Sequence, residues 1–451
     1  MDVQSNAPNV PVFAVTLAIG AVILLLYMLF GTSKKEEKEN NSSVSEEIEK
    51  NGARTSSKKI SKVHQKHIKK NTGHVFAHDL LHTSLKGHSG QVLGLDMSIN
   101  GKYLASCSDD RTVRLWSVKD FGVGNRCVRV NVELDHARQA RFSPDSRAFI
   151  AGLAMENTVR VYRLGKKDDG TTTCSPLEED FEKSTSSDLL NIGVGASSSG
   201  GSFVMTAYKD TTILIRNLKG HILATINTNQ GNNNYACVSP CGRFVACCGW
   251  TPDVKVWAVM FTRTGEFREV VRAFELKGHT SSVWTFAFNN DSTRMITVSK
   301  DGTWRFYDTQ IEYDKGQEPY LLNSGEINVC GNPLLENYTF IALSPDARVA
   351  AVANINNIGV FSTRTGVKHV EFKEVHAELI TAITFDIAGR YLLSTGDKHI
   401  RIFHNILGYK EKIIDLEAKQ KNLPAASATK ERYQKQITEA KQSLEAITKN
   451  T

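Results

Sequence analysis

The 451-residue chain has no glycine-rich phosphate loop and no His/Cys cluster at metal-ligand spacing. It also lacks an acid/base pair that occurs only once. These absences argue against nucleotide chemistry, a catalytic metal and hydrolysis, so a non-enzymatic chain without a cofactor or small-molecule substrate is expected. A disulfide framework is not expected either. The eight cysteines (Cys107, Cys127, Cys174, Cys237, Cys241, Cys247, Cys248 and Cys330) sit mostly in strand-like runs beside Ala, Ser and Gly. In a chain this long they read as reduced core thiols. Cys237, Cys241 and the Cys247–Cys248 pair come nearest to a metal set, but no His accompanies them at ligand spacing. Adjacent strand residues also point to opposite faces.

Charge is missing altogether from Val10 to Gly31. This run of 22 residues can cross a hydrocarbon core of ~30 Å as a helix. It is longer than the apolar part of a signal peptide, with no basic segment before it and no small-x-small cleavage site ahead of Lys34–Lys35. A transmembrane helix over 10–31 is therefore expected. Lys34, Lys35 and Lys38 follow it and no Lys or Arg precedes it, so residues 1–9 are expected to face the lumen or exterior and the remainder the cytosol.

Acids are nearly absent from Lys50 to Lys86, where nine Lys/Arg face Asp79 alone. With a net charge of +7 for the whole chain, the rest is close to neutral. Residues 32–74 also have almost no aromatics and are rich in Ser, Lys, Glu and Asn, the composition of a disordered tether. Its basic part, 58–70, offers Lys58, Lys59, Lys62, Lys66, Lys69 and Lys70 as candidate contacts for RNA phosphates or anionic headgroups. The plainer reading is a solvated charge run. No aromatics interleave, so base stacking is not indicated.

What is abundant is a repeat. Lys86 to Trp116 opens on Gly87–His88 and then reads as strand, Asn100–Gly101 turn, strand, Asp109–Asp110 turn, and a strand ending on Trp116. Its third strand recurs as TVRLW, TVRVY, TILIR, VKVW, TWRFY, IGVF and IRIF, ending at positions 116, 162, 216, 257, 307, 361 and 403. That spacing, with Gly-His ahead and an aromatic behind, is the signature of a WD-type blade and predicts an all-β, seven-bladed WD40 β-propeller over 75–408. Seven third strands need seven outer strands, and none follows Phe403. The segment 75–85 has no blade of its own and is expected to supply the last one, closing the ring.

In the first blade His88, Ser106 or Ser108, Asp110 and Trp116 resemble a catalytic set. The same set returns in the fifth as His279, Ser299, Asp301 and Tyr307. A site repeated in every good blade is a structural network, a hydrogen-bond chain that pins turns. It decays elsewhere: Glu156, Thr251 and Ile355 stand at the Asp position. Arg216 replaces the aromatic of blade three and, on grounds of charge, must reach solvent or an acid. Two insertions, 166–187 and 310–337, read as surface loops. A helical tail over 409–451 carries a short heptad seam, Tyr433, Ile437, Ala440, Leu444 and Ile447. It serves either as a helix packed on the propeller or as a partner or dimer helix.

The runs NVELDHARQARFSPDSRAFI (131–150), LATINTNQ (223–230), VSPCGRFVACCG (238–249), TPDVKVW (251–257), GEFREVVRAFELKGH (265–279) and SKDGTW (299–304) go beyond a generic blade. Through them the whole chain resembles a membrane-anchored branch of the WD-repeat family. The resemblance implies a propeller held on the cytosolic face of the endoplasmic reticulum. It further implies an adaptor with protein partners in unfolded-protein stress signalling, including kinase association and translation control. The alternative is an RNA- or ribosome-binding protein using the basic neck and a propeller face.

Overall fold

The computed structural model describes residues 76–124, 126–168, 172–177, 181–183, 187–328, 338–421, 423–424 and 428–450. The apolar run 10–31, the neck with Lys58 to Lys70, and Cys330 lie outside the described residues. Among the described residues, no helix is long and apolar enough to cross a membrane.

Seven four-stranded antiparallel sheets form the body. Blade one runs from inner to outer edge through Val92–Met97, Tyr103–Ser108, Thr112–Ser117 and Cys127–Asn131. Its strands are buried on both faces, because each blade is covered by the next. Ala105, Cys107, Val113 and Leu115 pack towards blade two against Phe142, Phe149 and Tyr162. The alternate residues Leu104 and Trp116 pack towards blade seven with Leu85, Leu393 and Ile402. Two-sided burial explains the near-continuous apolar runs such as FVACCG and VAAVAN.

The ring closes through the outer strand of blade seven. Leu81–Lys86 pairs antiparallel with His399–His404, with Leu85 opposite Ile400, and stands outside Tyr391–Thr395 and Ala382–Phe385. Three bonds join blades seven and one: Val92 N to Asp397 O (3.0 Å), Gln91 Nε2 to Gly396 O (2.7 Å), and Thr381 Oγ1 to Val92 O (2.6 Å). Leu85 is 2% exposed, so its burial alone contributes about 1.5–3 kcal/mol to closure. Around the inner ring, single side chains join neighbouring blades in the same way. Arg141 donates to Leu95 O, Gln139 to Leu190 O and Asn234 to Val283 O. Asn191 accepts from Ala236 N, and Thr285 accepts from Ile341 N.

The first inter-strand turn of every blade has one geometry. A backbone bond closes Ser98–Gly101, Ser143–Ser146, Ser197–Gly200, Ser239–Gly242, Asn289–Ser292, Ser344–Ala347 and Asp386–Gly389. The last residue of each has positive φ, which is why Gly holds four of the seven positions.

After the last strand, helix α1 (Ile406–Lys421) and helix α2 (Ala428–Asn450) form an antiparallel hairpin. Ile413 and Leu416 of α1 bury against Ile437 and Ala440 of α2, flanked by Tyr409, Tyr433 and Leu444. The heptad seam is thus covered from within the chain. Helix α1 is fastened to blade six by Arg348 on Asp415 (2.5 Å) and Arg364 on Glu411 (2.8 Å).

Candidate functional site

In blade one the four predicted residues form a single proton-ordered chain. Asp110 can only accept, so His88 Nδ1–H donates to it at 2.9 Å. Trp116 Nε1–H donates to Ser106 Oγ at 2.8 Å, which leaves the Ser106 hydroxyl proton for His88 Nε2, also 2.8 Å away. Burial pulls the His88 pKa down against the pull of Asp110, so the ring is neutral, as this ordering requires. Burial pushes the Asp110 carboxyl up, but bonds from Thr112, the Ser89 amide and His88 outweigh it and hold the group at about 2. No bond in the chain is left open for a substrate.

Blade five repeats the chain with one correction. His279 bonds Asp301 (2.8 Å) and the hydroxyl of Thr297 (2.7 Å), not Ser299. Ser299 Oγ instead donates to Ser282 O (2.9 Å) and caps the Asp301 amide. The reason is strand pleat: Thr297, like Ser106, lies four residues before the acid, on the face that meets His. Tyr307 also differs from Trp116. Its hydroxyl donates to Lys277 O at 2.8 Å.

Blade seven holds a third chain, not among the predicted sets. His376 Nε2 meets Ser394 Oγ at 2.9 Å, and Nδ1 lies 3.1 Å from Asp397. Arg401 Nη1 sits 2.5 Å from Nδ1 and 2.9 Å from Asp397. Nδ1 therefore accepts from the guanidinium, the ring is neutral, and Nε2–H donates to Ser394. Burial lowers the His376 pKa to about 4. The signal was present: the His-to-hydroxyl separation is 18 residues in all three blades.

The other blades substitute. In blade two the buried carboxylate of Asp135 accepts from the Met155 and Glu156 amides (2.9 and 3.1 Å), so the acid sits on the inter-blade loop and Glu156 turns to Arg160. In blade four Gln230 replaces His and bonds Thr251. In blade three Arg216 does not reach solvent, being 2% exposed. Its Nε points at Thr206 (3.4 Å), ten residues back, as Trp116 does at Ser106, and Nη1 donates to Gly220 O (2.9 Å). Phe181 lies under the guanidinium, 5.9 Å from its carbon. A long cation thus takes over the indole's hydrogen bond as well as its space.

The Gly of Gly-His keeps the loop close to an arginine, and at Gly278 the backbone φ of 125° also favours glycine. A Cβ at Gly87 would stand 2.8 Å from Arg114 Nη1 and 3.0 Å from Trp116, and one at Gly278 would stand 2.5 Å from Arg305 Nη1. Arg114 and Arg305 hold the same third-strand position, and each fills the space beneath its loop.

Among the described cysteines Cys107, Cys247 and Cys248 are core groups, Cys127, Cys174 and Cys237 are half-buried, and Cys241 is exposed in its turn, against the expectation of core thiols throughout. Cys247 and Cys248 join opposite blade interfaces, and burial pushes Cys107 and Cys237 up to about 12. A central channel of about 820 Å³ runs through the ring. Asp96 of blade one and Arg141 of blade two pair on its wall at 3.4 Å, and Asp96 also accepts the Phe142 amide. On the face that carries the inter-blade loops, Leu134, Met155 and Trp250 are 86%, 74% and 64% exposed. They depart from the blade pattern and leave no periodic trace in the sequence.

A closed ring of seven such sheets, three of them pinned by His–hydroxyl–Asp chains, defines a WD-repeat propeller, an architecture that serves as a scaffold for other proteins. The WD domain, G-beta repeat family matches residues 79–117, 270–308 and 368–404, which include the chains of blades one, five and seven. Transducin beta-like protein 2 of Mus musculus is 51% identical over 375 residues, 83% of either chain, and its Homo sapiens counterpart is 50% identical over 83% of this chain and 82% of its own. A periodic tryptophan protein 2 homolog of Dictyostelium discoideum is 22% identical over 67% of this chain and 32% of its own. The chain belongs to the transducin beta-like protein 2 family.

Proposed function

We propose that the protein is a membrane-anchored WD40 adaptor on the cytosolic face of the endoplasmic reticulum, non-enzymatic, binding protein partners in unfolded-protein stress signalling and translation control. One observation carries the scaffold part: each His–hydroxyl–Asp set recurs by blade and spends its bonds on its own turns. The uncharged run Val10–Gly31 supports the anchor, with residues 1–9 lumenal. The stress-signalling kinase and the translation machinery rest on the family resemblance. Proximity labelling from the propeller, with and without residues 10–31, tests the reading. Loss of endoplasmic-reticulum and stress-signalling neighbours on deletion is expected; a neighbour list unchanged by deletion would overturn the role of the membrane.

A second reading, RNA or ribosome binding, is favoured by the basic run Lys58 to Lys70. Salt-sensitive RNA crosslinking that disappears when those six lysines are neutralised would establish it.

A further inference from the structure

Trp250 stands in the turn between the second and third strands of blade four, 64% exposed. The loop beside it is built to hold still. Gln230 is fully buried and donates to Cys247 O and Asp253 O. Lys255 places its ammonium on the carbonyls of Thr228 (2.9 Å) and Asn229 (3.1 Å). The Trp250 amide donates to Gln230 O and Asn232 O. Gly231, at φ 75°, lies against the indole, where a Cβ would meet Cε3 at 3.6 Å. The result is an indole fixed from beneath and open above, at the channel mouth with Asn232 and Asn234.

Its surroundings are almost uncharged. Residues 228–234 and 250–252 carry no charge, and Asp253 turns to Lys255 (3.9 Å). The equivalent turns of blades one, three, five and seven carry Asp110–Arg111, Lys209–Asp210, Lys300–Asp301 and Asp397–Lys398. The carboxamides of Asn229 and Asn232 make no side-chain hydrogen bond among the described residues. Of the cations lining the channel, Lys209 pairs with Asp188 at 2.7 Å and Arg141 with Asp96 at 3.4 Å, and the nearby Lys255 ammonium is spent on carbonyls. Among the described residues beside Trp250, no cation is without a partner, which speaks against a nucleic-acid strand.

A rigid aromatic plate flanked by free amide donors, with no net charge, suits a proline-rich peptide. Such a segment arrives in polyproline II form with little entropy left to lose, offers flat rings for stacking, and turns unpaired carbonyls outward. We propose that Trp250, with Asn229 and Asn232, forms a docking site on blade four for a proline-rich segment of a protein partner. The proposal rests on the scaffold reading. Its test uses the protein without cellular partners, so failure here leaves the proximity-labelling result standing.

The other four tryptophans are at most 8% exposed, so iodide quenching of tryptophan fluorescence reports on Trp250. The full-length chain in detergent micelles is titrated with a ten-residue polyproline peptide and, separately, with a ten-nucleotide oligouridine. The peptide is expected to shield the fluorescence from iodide. Trp250→Ala should weaken the peptide's binding, measured by calorimetry, by about tenfold or more, with the thermal melt unchanged. Asn232→Ala should weaken it severalfold. No shielding by the peptide, peptide affinity unaltered in Trp250→Ala, or shielding by oligouridine alone would each overturn the proposal.

Discussion

Replacing Ser106 by Ala tests whether the blade-one chain is a structural pin. Ser106 is fully buried, and its hydroxyl serves two buried partners at once, the Trp116 indole N–H and His88 Nε2. Removing it strands one buried donor and one buried acceptor. Each stranded group costs about 1–3 kcal/mol, so the loss should be roughly 2–5 kcal/mol. That is a large share of the ~5–15 kcal/mol that holds a typical native state. Urea unfolding of a chain beginning at Asn71 gives the shift in midpoint and, from an unchanged slope, shows that the native fold is retained. Blade five supplies the control. Thr297→Ala strands the buried His279 Nε2 acceptor, should cost about 1–3 kcal/mol and should displace the His279 ring NMR signals, whereas Ser299→Ala loses its bonds to Ser282 O and from the Asp301 amide, at a comparable cost, and should leave the His279 signals in place. A Ser106→Ala midpoint within ~0.5 kcal/mol of the parent, or His279 ring signals displaced by Ser299→Ala and not by Thr297→Ala, would refute the assignment.

Stability should also depend on pH through His376. Its folded pKa of about 4 lies below the ordinary 6.5, so the unfolded chain binds the extra proton. The contribution is complete above pH 6.5 and disappears as pH falls towards 4, a change of about 3 kcal/mol; urea midpoints between pH 8 and 4 should fall on that slope, less steeply in His376→Gln, and equal slopes would contradict it. Burial shifts His88 and His279 in the same direction. Glu411→Ala removes the buried partner of Arg364 and should raise amide exchange across α1 while the blades stay protected; unchanged exchange in 406–421 would mean the apolar contacts alone hold the hairpin. Arg216→Ala leaves a cavity beside Phe181 and frees the hydroxyls of Thr206 and Tyr208, so a loss of about 3 kcal/mol is expected in denaturant melts. A loss below ~1 kcal/mol would show that the site collapses around the smaller side chain.

The blade count and the origin of the last strand were legible in the sequence because third strands are apolar on both faces and repeat at blade spacing. The polar pins were legible where residue types were kept. They were misread where type alone was followed: Ser299 looked right by chemistry, but Thr297 has the correct pleat. Val375–His376 reads only as a reduced Gly-His, although its His keeps the 18-residue separation from the hydroxyl of Ser394. Arg216 illustrates a different limit. Its charge suggested solvent or an acid, yet its length lets it copy an indole's bond across ten residues. Which side the heptad seam of α2 would choose was not legible, since Ile437 and Ala440 suit either a partner or α1. Trp250 escaped notice for the opposite reason, because an exposed side chain in a turn leaves no periodic trace.

Closure of the ring by the segment that precedes the first blade is the claim on which the architecture depends, and it can be measured directly. Two chains, one beginning at Asn71 and one at Lys86, differ by the strand that pairs with His399–His404 and carries Leu85. The account predicts a cooperative thermal transition for the longer chain and, for the shorter one, a broad transition at much lower temperature or none. Equal melting of the two would contradict it.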